Sequence, residues 1–447
     1  MFAVVGFVTT LALITGLIHL YLWKRLVRDT TTAGRWRRAG TVTAVVLALL
    51  VPATMVGTRA GMYWLAWPGY LWLALMFYLL VLLVVLEVPM LVTRLVWRGR
   101  FAVARPEPVL VGTASAPIPE LSTDPPTGTA APTGADEPTG ATEPTGATEP
   151  AATDSPAPPA PGAAGPDHDP GRRLLLARGA AIFAGLTATG LVGYGVRTAM
   201  GPPQLDRVQV PLARLPRSMD GLRIATVSDI HIGPLTGRAH TERIVAAINR
   251  LDADIVAVVG DLVDGTVAEL GDDAAPLRGL RSRHGSYFVT GNHEYYSGVE
   301  EWVAEVDRLG LRVLQNQRRE IAARGGVLDL AGVNDVSAVG SGVSAPPDYG
   351  AALGDRDPSR PVVLLAHQPV AALEAAKYGV DLQLSGHTHG GQIVPFNLLV
   401  KLEQPVVSGL GEVDGTKVYV TNGAGFWGPP VRVGAEPQIT LVELRSA

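Results

Sequence analysis

Five of the nine histidines stand with two aspartates and an asparagine in five short motifs: Asp229-Ile230-His231, Gly260-Asp261, Gly291-Asn292-His293-Glu294, His367 and Gly386-His387-Thr388-His389. Taken singly, each has an ordinary explanation: Asp261 and Asn292 are common turn residues, and a lone His367 is more often a satisfied core histidine. Taken together they form a set of nitrogen and oxygen donors, and the chain has no cysteine to add a thiolate or a disulfide. Two divalent ions sharing one carboxylate need such a set. The two oxygens of Asp261 can bridge ions ~3.5–4 Å apart, and such a pair is a device for hydrolysing phosphate esters. Donors without sulfur suit manganese, zinc or iron. Asp229 and His231 are two residues apart, which places both on one side of a strand. The Asn292 carbonyl is a neutral oxygen ligand, while His293 can remain unligated and protonate a leaving group. Gly386, Gly390 and Gly391 let the backbone approach a ligand closely.

These residues need a scaffold that ends at one place. Each motif follows a short run rich in Val, Ile and Leu, at residues 222–227, 255–259, 287–289, 362–366 and 382–384. Helical patterns follow at 238–250, 267–280, 299–309 and 370–378, and further apolar runs stand at 327–332, 417–420 and 438–444. Fully apolar strands covered by helices predict an α/β domain with a buried, mixed or parallel sheet.

The motif order resembles that of the calcineurin-like metallophosphoesterase superfamily, and the resemblance covers about residues 205–447. The longer strings Ser228-Asp-Ile-His-Ile-Gly233, Gly291-Asn-His-Glu-Tyr-Tyr296, His367-Gln-Pro369, Gly386-His-Thr-His-Gly-Gly-Gln392 and Gly425-Phe-Trp-Gly-Pro-Pro430 are similar to its membrane-associated bacterial branch. The resemblance implies a four-layer α/β/β/α sandwich. It implies one metal held by Asp229, His231 and His389, a second held by Asn292, His367 and His387, and Asp261 bridging them. His293 would be the unligated catalytic histidine and Glu294 the acid that orients it. The activity implied is hydrolysis of phosphomono- or phosphodiesters by a hydroxide held between the two ions.

The rest of the chain is different in character. Apolar runs at residues 2–22, 41–56 and 70–92 predict three transmembrane helices within an all-helical region 1–97. Glu87 and Pro89 in the third read as a residue near the headgroups and a tolerated kink. Residues 98–171 are rich in Pro, Gly and Thr, with a hexapeptide repeated from 132 to 149, and predict a disordered tether. Residues 172–200 predict a fourth helix or signal anchor, entered through Arg172 and Arg173 in a string similar to a twin-arginine export signal; the plainer reading is the cytoplasmic end of a span. The globular domain then occupies 201–447. Six basic residues between Lys24 and Arg38 oppose one acid, Asp29, and Arg94, Arg98, Arg100 and Arg105 follow the third run. The positive-inside rule therefore predicts a multi-pass cell-membrane protein with the globular domain on the outer face. A net charge of −4 gives nucleic acid no electrostatic footing. The expected partner is a phosphoester, lipid-linked or from the cell envelope by location; oligomeric state is not encoded in any motif. The competing readings are a metal-stabilised binding module without catalysis and an accessory domain of a transport or signalling protein.

Overall fold

The computed structural model describes residues 2–102 and 170–447. The hexapeptide repeats and most of the expected tether lie outside the described residues, as do the side chains of Arg172 and Arg173 on which the export-signal reading rests. Among the described residues four helices are long: α1 (Phe2–Trp23), α2 (Arg35–Arg59), α3 (Ala66–Ala102) and α4 (Pro170–Ala199). Segments Arg35–Arg59, Tyr63–Val92 and Leu174–Ala199 are long and apolar enough to cross a membrane. Helix α2 is longer than its apolar run because it begins with Arg35, Arg37 and Arg38. Helix α3 likewise runs on through Pro89 to Ala102, past the expected boundary at 97. Glu87 has a partner that the sequence did not suggest. Its carboxylate meets the Arg25 guanidinium at 3.0 Å and accepts from the Tyr21 hydroxyl at 3.2 Å, tying α3 to the end of α1.

The globular part contains two six-stranded sheets. The first has the order β1 (Gln204–Leu212), β12 (Gln438–Ser446), β2 (Leu222–Val227), β3 (Ile255–Val259), β4 (Ser286–Val289), β5 (Arg312–Val313). The second has the order β10 (Gly409–Val413), β11 (Thr416–Val420), β9 (Leu382–Ser385), β8 (Val362–Leu365), β7 (Gly326–Gly332), β6 (Gln317–Ala323). Ile224, Val259 and Tyr287 of the first sheet share one buried cluster with Leu328, Leu365 and Leu384 of the second, so the sheets face each other. The other face of the first sheet is covered by α5 (Arg238–Asn249), α6 (Val267–Ala274) and α8 (Val299–Arg308), through Ile244, Leu270, Trp302 and Val306. The other face of the second packs on α9 (Tyr349–Leu353) and α10 (Ala372–Ala375). The layers are therefore α/β/β/α. Two short helices remain, α7 (Asn292–Ser297) and α11 (Asn397–Val400).

Strands β2, β3 and β4 are parallel, as are β7, β8, β9 and β11. Asp229, Asp261, His367 and His387 each stand two residues beyond a strand, and Asn292 three beyond β4. Carboxyl ends of parallel strands are where such sheets place ligands. Trp302 links core to site, for its fully buried indole donates to the Gly265 carbonyl at 2.8 Å in the loop after Asp261. Trp302→Ala should cost about 3–5 kcal/mol, the range for deleting a buried aromatic ring, in chemical denaturation followed by circular dichroism; a loss below about 1 kcal/mol would contradict this packing.

Candidate metal centre

The expected ligands do converge, but not by strand alternation. Asp229, Asp261 and the histidines 231, 387 and 389 lie past their strands with φ of 52°, 50°, 48°, 70° and 51°. Non-glycine residues adopt left-handed backbone only where the surroundings hold them there, and such positions gather at functional sites. The turns, rather than a shared strand face, aim these side chains inward. Glycine makes the crowding possible: a Cβ on Gly386 would collide with Ser228 and Asp229, and one on Gly291 with Asp261.

Two donor sets result. In one, His231 Nε2 and His389 Nε2 face each other at 3.1 Å, with Asp229 Oδ1 3.4 Å from His389 Nε2. In the other, Asp261 Oδ2 is 3.1 Å from His367 Nε2, and His387 Nδ1 is 3.0 Å from Asn292 Oδ1. Asp229, His231 and His389 could hold one cation, and Asp261, His367 and His387 another. Asp261 Oδ2 lies between the sets, 3.9 Å from His231 Nε2, while its Oδ1 accepts from the His293 N–H at 2.9 Å. The donors fit divalent ions on a further count. Apart from the facing Asp261 carboxylate, His367 Nε2 is buried without a hydrogen-bond partner, while its Nδ1 is fixed on the Val259 carbonyl at 2.8 Å. A cation is the natural occupant of such a lone pair. Burial, then the neighbouring His367, lowers His387 to about 3. Burial, then Arg432, likewise holds His389 well below its ordinary value. Both rings are therefore neutral, as metal ligands must be.

Two residues that the motifs did not single out complete the site. Asp264 Oδ1 accepts from His231 Nδ1 at 2.8 Å and His293 Nδ1 at 2.7 Å. Burial would raise its pKa, but the facing His231 and His293 rings hold it well below the carboxylate range. The expectation that Glu294 orients His293 is therefore corrected. Glu294 accepts instead from the backbone N–H groups of Asp261 (3.0 Å), Leu262 (2.8 Å) and Gly291 (2.6 Å), so it fixes the turn carrying the shared carboxylate. The signal for Asp264 was an acid three residues after Asp261, in a stretch that carries none of the motifs. Arg432 is fully buried and donates to His389 Nδ1 at 3.0 Å and to the His389 and Gly425 carbonyls at 2.9 and 3.0 Å. That turns His389 Nε2 toward Asp229. Its sequence signal was an arginine two residues past the Gly425–Pro430 string.

A family model for calcineurin-like phosphoesterases matches residues 222–391, which include all seven candidate ligands. A transmembrane protein with metallophosphoesterase domain from Bos taurus is 41% identical over 62% of this chain and 65% of its own length. A Danio rerio protein of the same description is 39% identical over 60% of this chain and 63% of its own. An uncharacterized metallophosphoesterase of Helicobacter pylori is 38% identical over 57% of this chain and 68% of its own. The chain belongs to the calcineurin-like metallophosphoesterase family. Its match spans slightly under two thirds of the bovine and zebrafish relatives.

Members of this family use a dinuclear divalent metal centre, and the two donor sets joined at Asp261 are where this metallophosphoesterase would hold it. Asp261→Ala should remove the shared ligand and take bound metal from about two equivalents toward none, whereas Asn292→Ala should mainly weaken one site. Elemental analysis of the purified variants checks this; two full equivalents in Asp261→Ala would refute the bridging assignment.

Proposed function

We propose that this chain is a membrane-anchored, dinuclear-metal-dependent phosphoesterase that hydrolyses phosphomono- or phosphodiesters. The observation that carries the reading is one carboxylate oxygen, Asp261 Oδ2, lying between two donor sets, with the His293–Asp264 pair beside it. Two divalent ions held by Asp229, His231, His389, Asp261, Asn292, His367 and His387 would supply Lewis acidity toward a phosphoryl group. The remaining chemistry falls to the chain's own side chains. Burial alone would lower the His293 pKa, but the hydrogen bond to Asp264 and the charges of Asp261 and Asp264 raise it to about 9. These carboxylates favour the protonated ring. With Nδ1 committed to Asp264, Nε2 is the end that holds a proton for the departing oxygen. A non-catalytic module has no use for such a donor beside its metals.

The basic loops support a multi-pass arrangement in the cell membrane with the catalytic domain on the outer face. That location favours lipid-linked or other cell-envelope phosphoesters. Purified full-length protein in detergent, metal-stripped and then supplied with Mn²⁺, Zn²⁺ or Fe²⁺, should hydrolyse nitrophenyl phosphomono- or diesters only when metal is returned. His293→Ala should keep its metals and lose ~10²–10⁴-fold in kcat, the usual contribution of a general acid. Undiminished turnover by that variant would remove His293 from the reaction, and a metal-loaded parent inactive on every ester would refute the phosphoesterase reading.

A further inference from the structure

The segment after the ligand His389 leaves the catalytic domain as an apolar lip. Val394, Phe396, Leu398, Leu399 and Leu402 are exposed, Leu402 by 83%. The lip is firmly held at its root. Ile393 pairs with Val433, the Val394 N–H donates to the Val433 carbonyl at 3.0 Å, and Gly391 lies so close to Asn397 that a Cβ would collide. An anchored row of exposed leucines needs an apolar partner.

The neighbours of the lip say which partner. Tyr63, in the turn before α3, and Tyr70 and Phe77 on α3 are spaced seven apart, and all three meet the catalytic domain. The Tyr63 hydroxyl donates to Glu269 at 2.9 Å. The Tyr70 ring stands 3.8 Å from where a Gly428 Cβ would be. The Phe77 ring meets Phe396 edge-on, with centroids 6.5 Å apart. Ile393, Val431 and Val433 belong to one apolar cluster with Ala74, Leu83 and Val192 of α3 and α4. Seven helical residues advance ~10 Å. Tyr63, Trp64 and Trp67 are residues of the kind that mark the membrane interface. Phe396 therefore lies ~10 Å further along the spanning helix than Tyr70, at the depth of the acyl chains.

We infer that residues 394–402 are embedded in the lipid leaflet on the catalytic-domain side, and that the phosphoester hydrolysed is carried by an amphiphile resident in that leaflet; the second part rests on the phosphoesterase reading above. Two further features agree. A cavity of about 560 Å³ runs from Gly390, next to His389, to Asn397 and Lys401 on the lip, with Ser408 and Asn422 also in its wall. Lys401 is exposed on the lip, and a lysine can keep its ammonium at headgroup level while its methylenes lie on apolar surface. On the other side of the site, exposed Tyr296 and Trp427 flank the His293 ring at 5.5 and 6.2 Å, and Trp427 precedes the Gly428 that meets Tyr70.

The absence of cysteine from the chain makes the lip directly testable. Leu399→Cys and Leu402→Cys in the full-length protein, each carrying a nitroxide label in phosphatidylcholine nanodiscs, should be more accessible to dissolved oxygen than to an aqueous nickel chelate. Preferential accessibility to the nickel chelate at both positions would overturn the embedded lip whether or not the protein is active. The substrate class is read by competition against nitrophenyl ester hydrolysis in the same discs. Phosphatidic acid in the disc should inhibit, and dissolved glycerol 3-phosphate at equal bulk concentration should be at least about tenfold weaker. A variant with Leu398, Leu399 and Leu402 all changed to Ser should keep nitrophenyl ester turnover and lose inhibition by phosphatidic acid. Equal inhibition by glycerol 3-phosphate, none by phosphatidic acid, or full inhibition of the serine variant would overturn the amphiphile. A metal-loaded parent that hydrolyses no nitrophenyl ester would instead remove the phosphoesterase reading and with it the substrate class, while the label still decides the lip.

Discussion

The carboxylate of Asp261 has to stand at one point between donors from two different sheets, and much of the domain's construction follows from that requirement. Asp229, His231 and Asn292 come from the ends of strands in the first sheet, and His367, His387 and His389 from the ends of strands in the second. Neither sheet alone could assemble both donor sets. The face-to-face packing through Ile224, Val259, Leu365 and Leu384 is what brings the two rows of strand ends together. Glu294 then fixes the Asp261 turn through three backbone N–H groups, and the His293 N–H holds its other oxygen. Buried carboxylates beside buried imidazoles are costly in an apolar interior unless they are compensated. Divalent cations offset that cost more fully than protons do, because each can face several donors at once.

The legibility of the fold divides along a physical line. Strands β2, β3, β4, β7, β8, β9, β11 and β12 are covered on both faces and flanked on both sides, so they read as continuous apolar runs. The four strands that no apolar run signals, β1, β5, β6 and β10, are the four sheet edges. β6 carries Arg318, Arg319 and Glu320, β1 carries Asp206, Arg207 and Pro211, and β10 contains Gly409, Gly411 and Glu412. Edge strands are half solvated, and charge, proline and glycine there discourage pairing with other chains. The features that protect an edge also remove its hydrophobic signature.

The site divides in a similar way. Residues that could touch metal were legible because their donor chemistry is unusual at the end of an apolar strand. Residues that act on other side chains were not. Asp264 stands outside every motif, and only the fold shows one of its oxygens meeting both His231 and His293. Arg432 stands forty-three residues from His389, and its role depends on the chain returning beneath that ring. The convergence of Asp229 and His231 was legible as a result but not in its cause, since left-handed turns do what strand alternation was expected to do.

The long apolar helices and the turn before α3 meet the globular domain through Tyr63, Tyr70, Phe77 and Gly195, so they bear on the same region as the candidate metal centre. The shared carboxylate is tested most directly by electron paramagnetic resonance of the full-length protein loaded with Mn²⁺. A carboxylate bridging two neighbouring ions should give an exchange-coupled dimanganese spectrum as the second equivalent binds. A six-line spectrum of isolated Mn²⁺ that simply doubles in intensity on the second addition would contradict it.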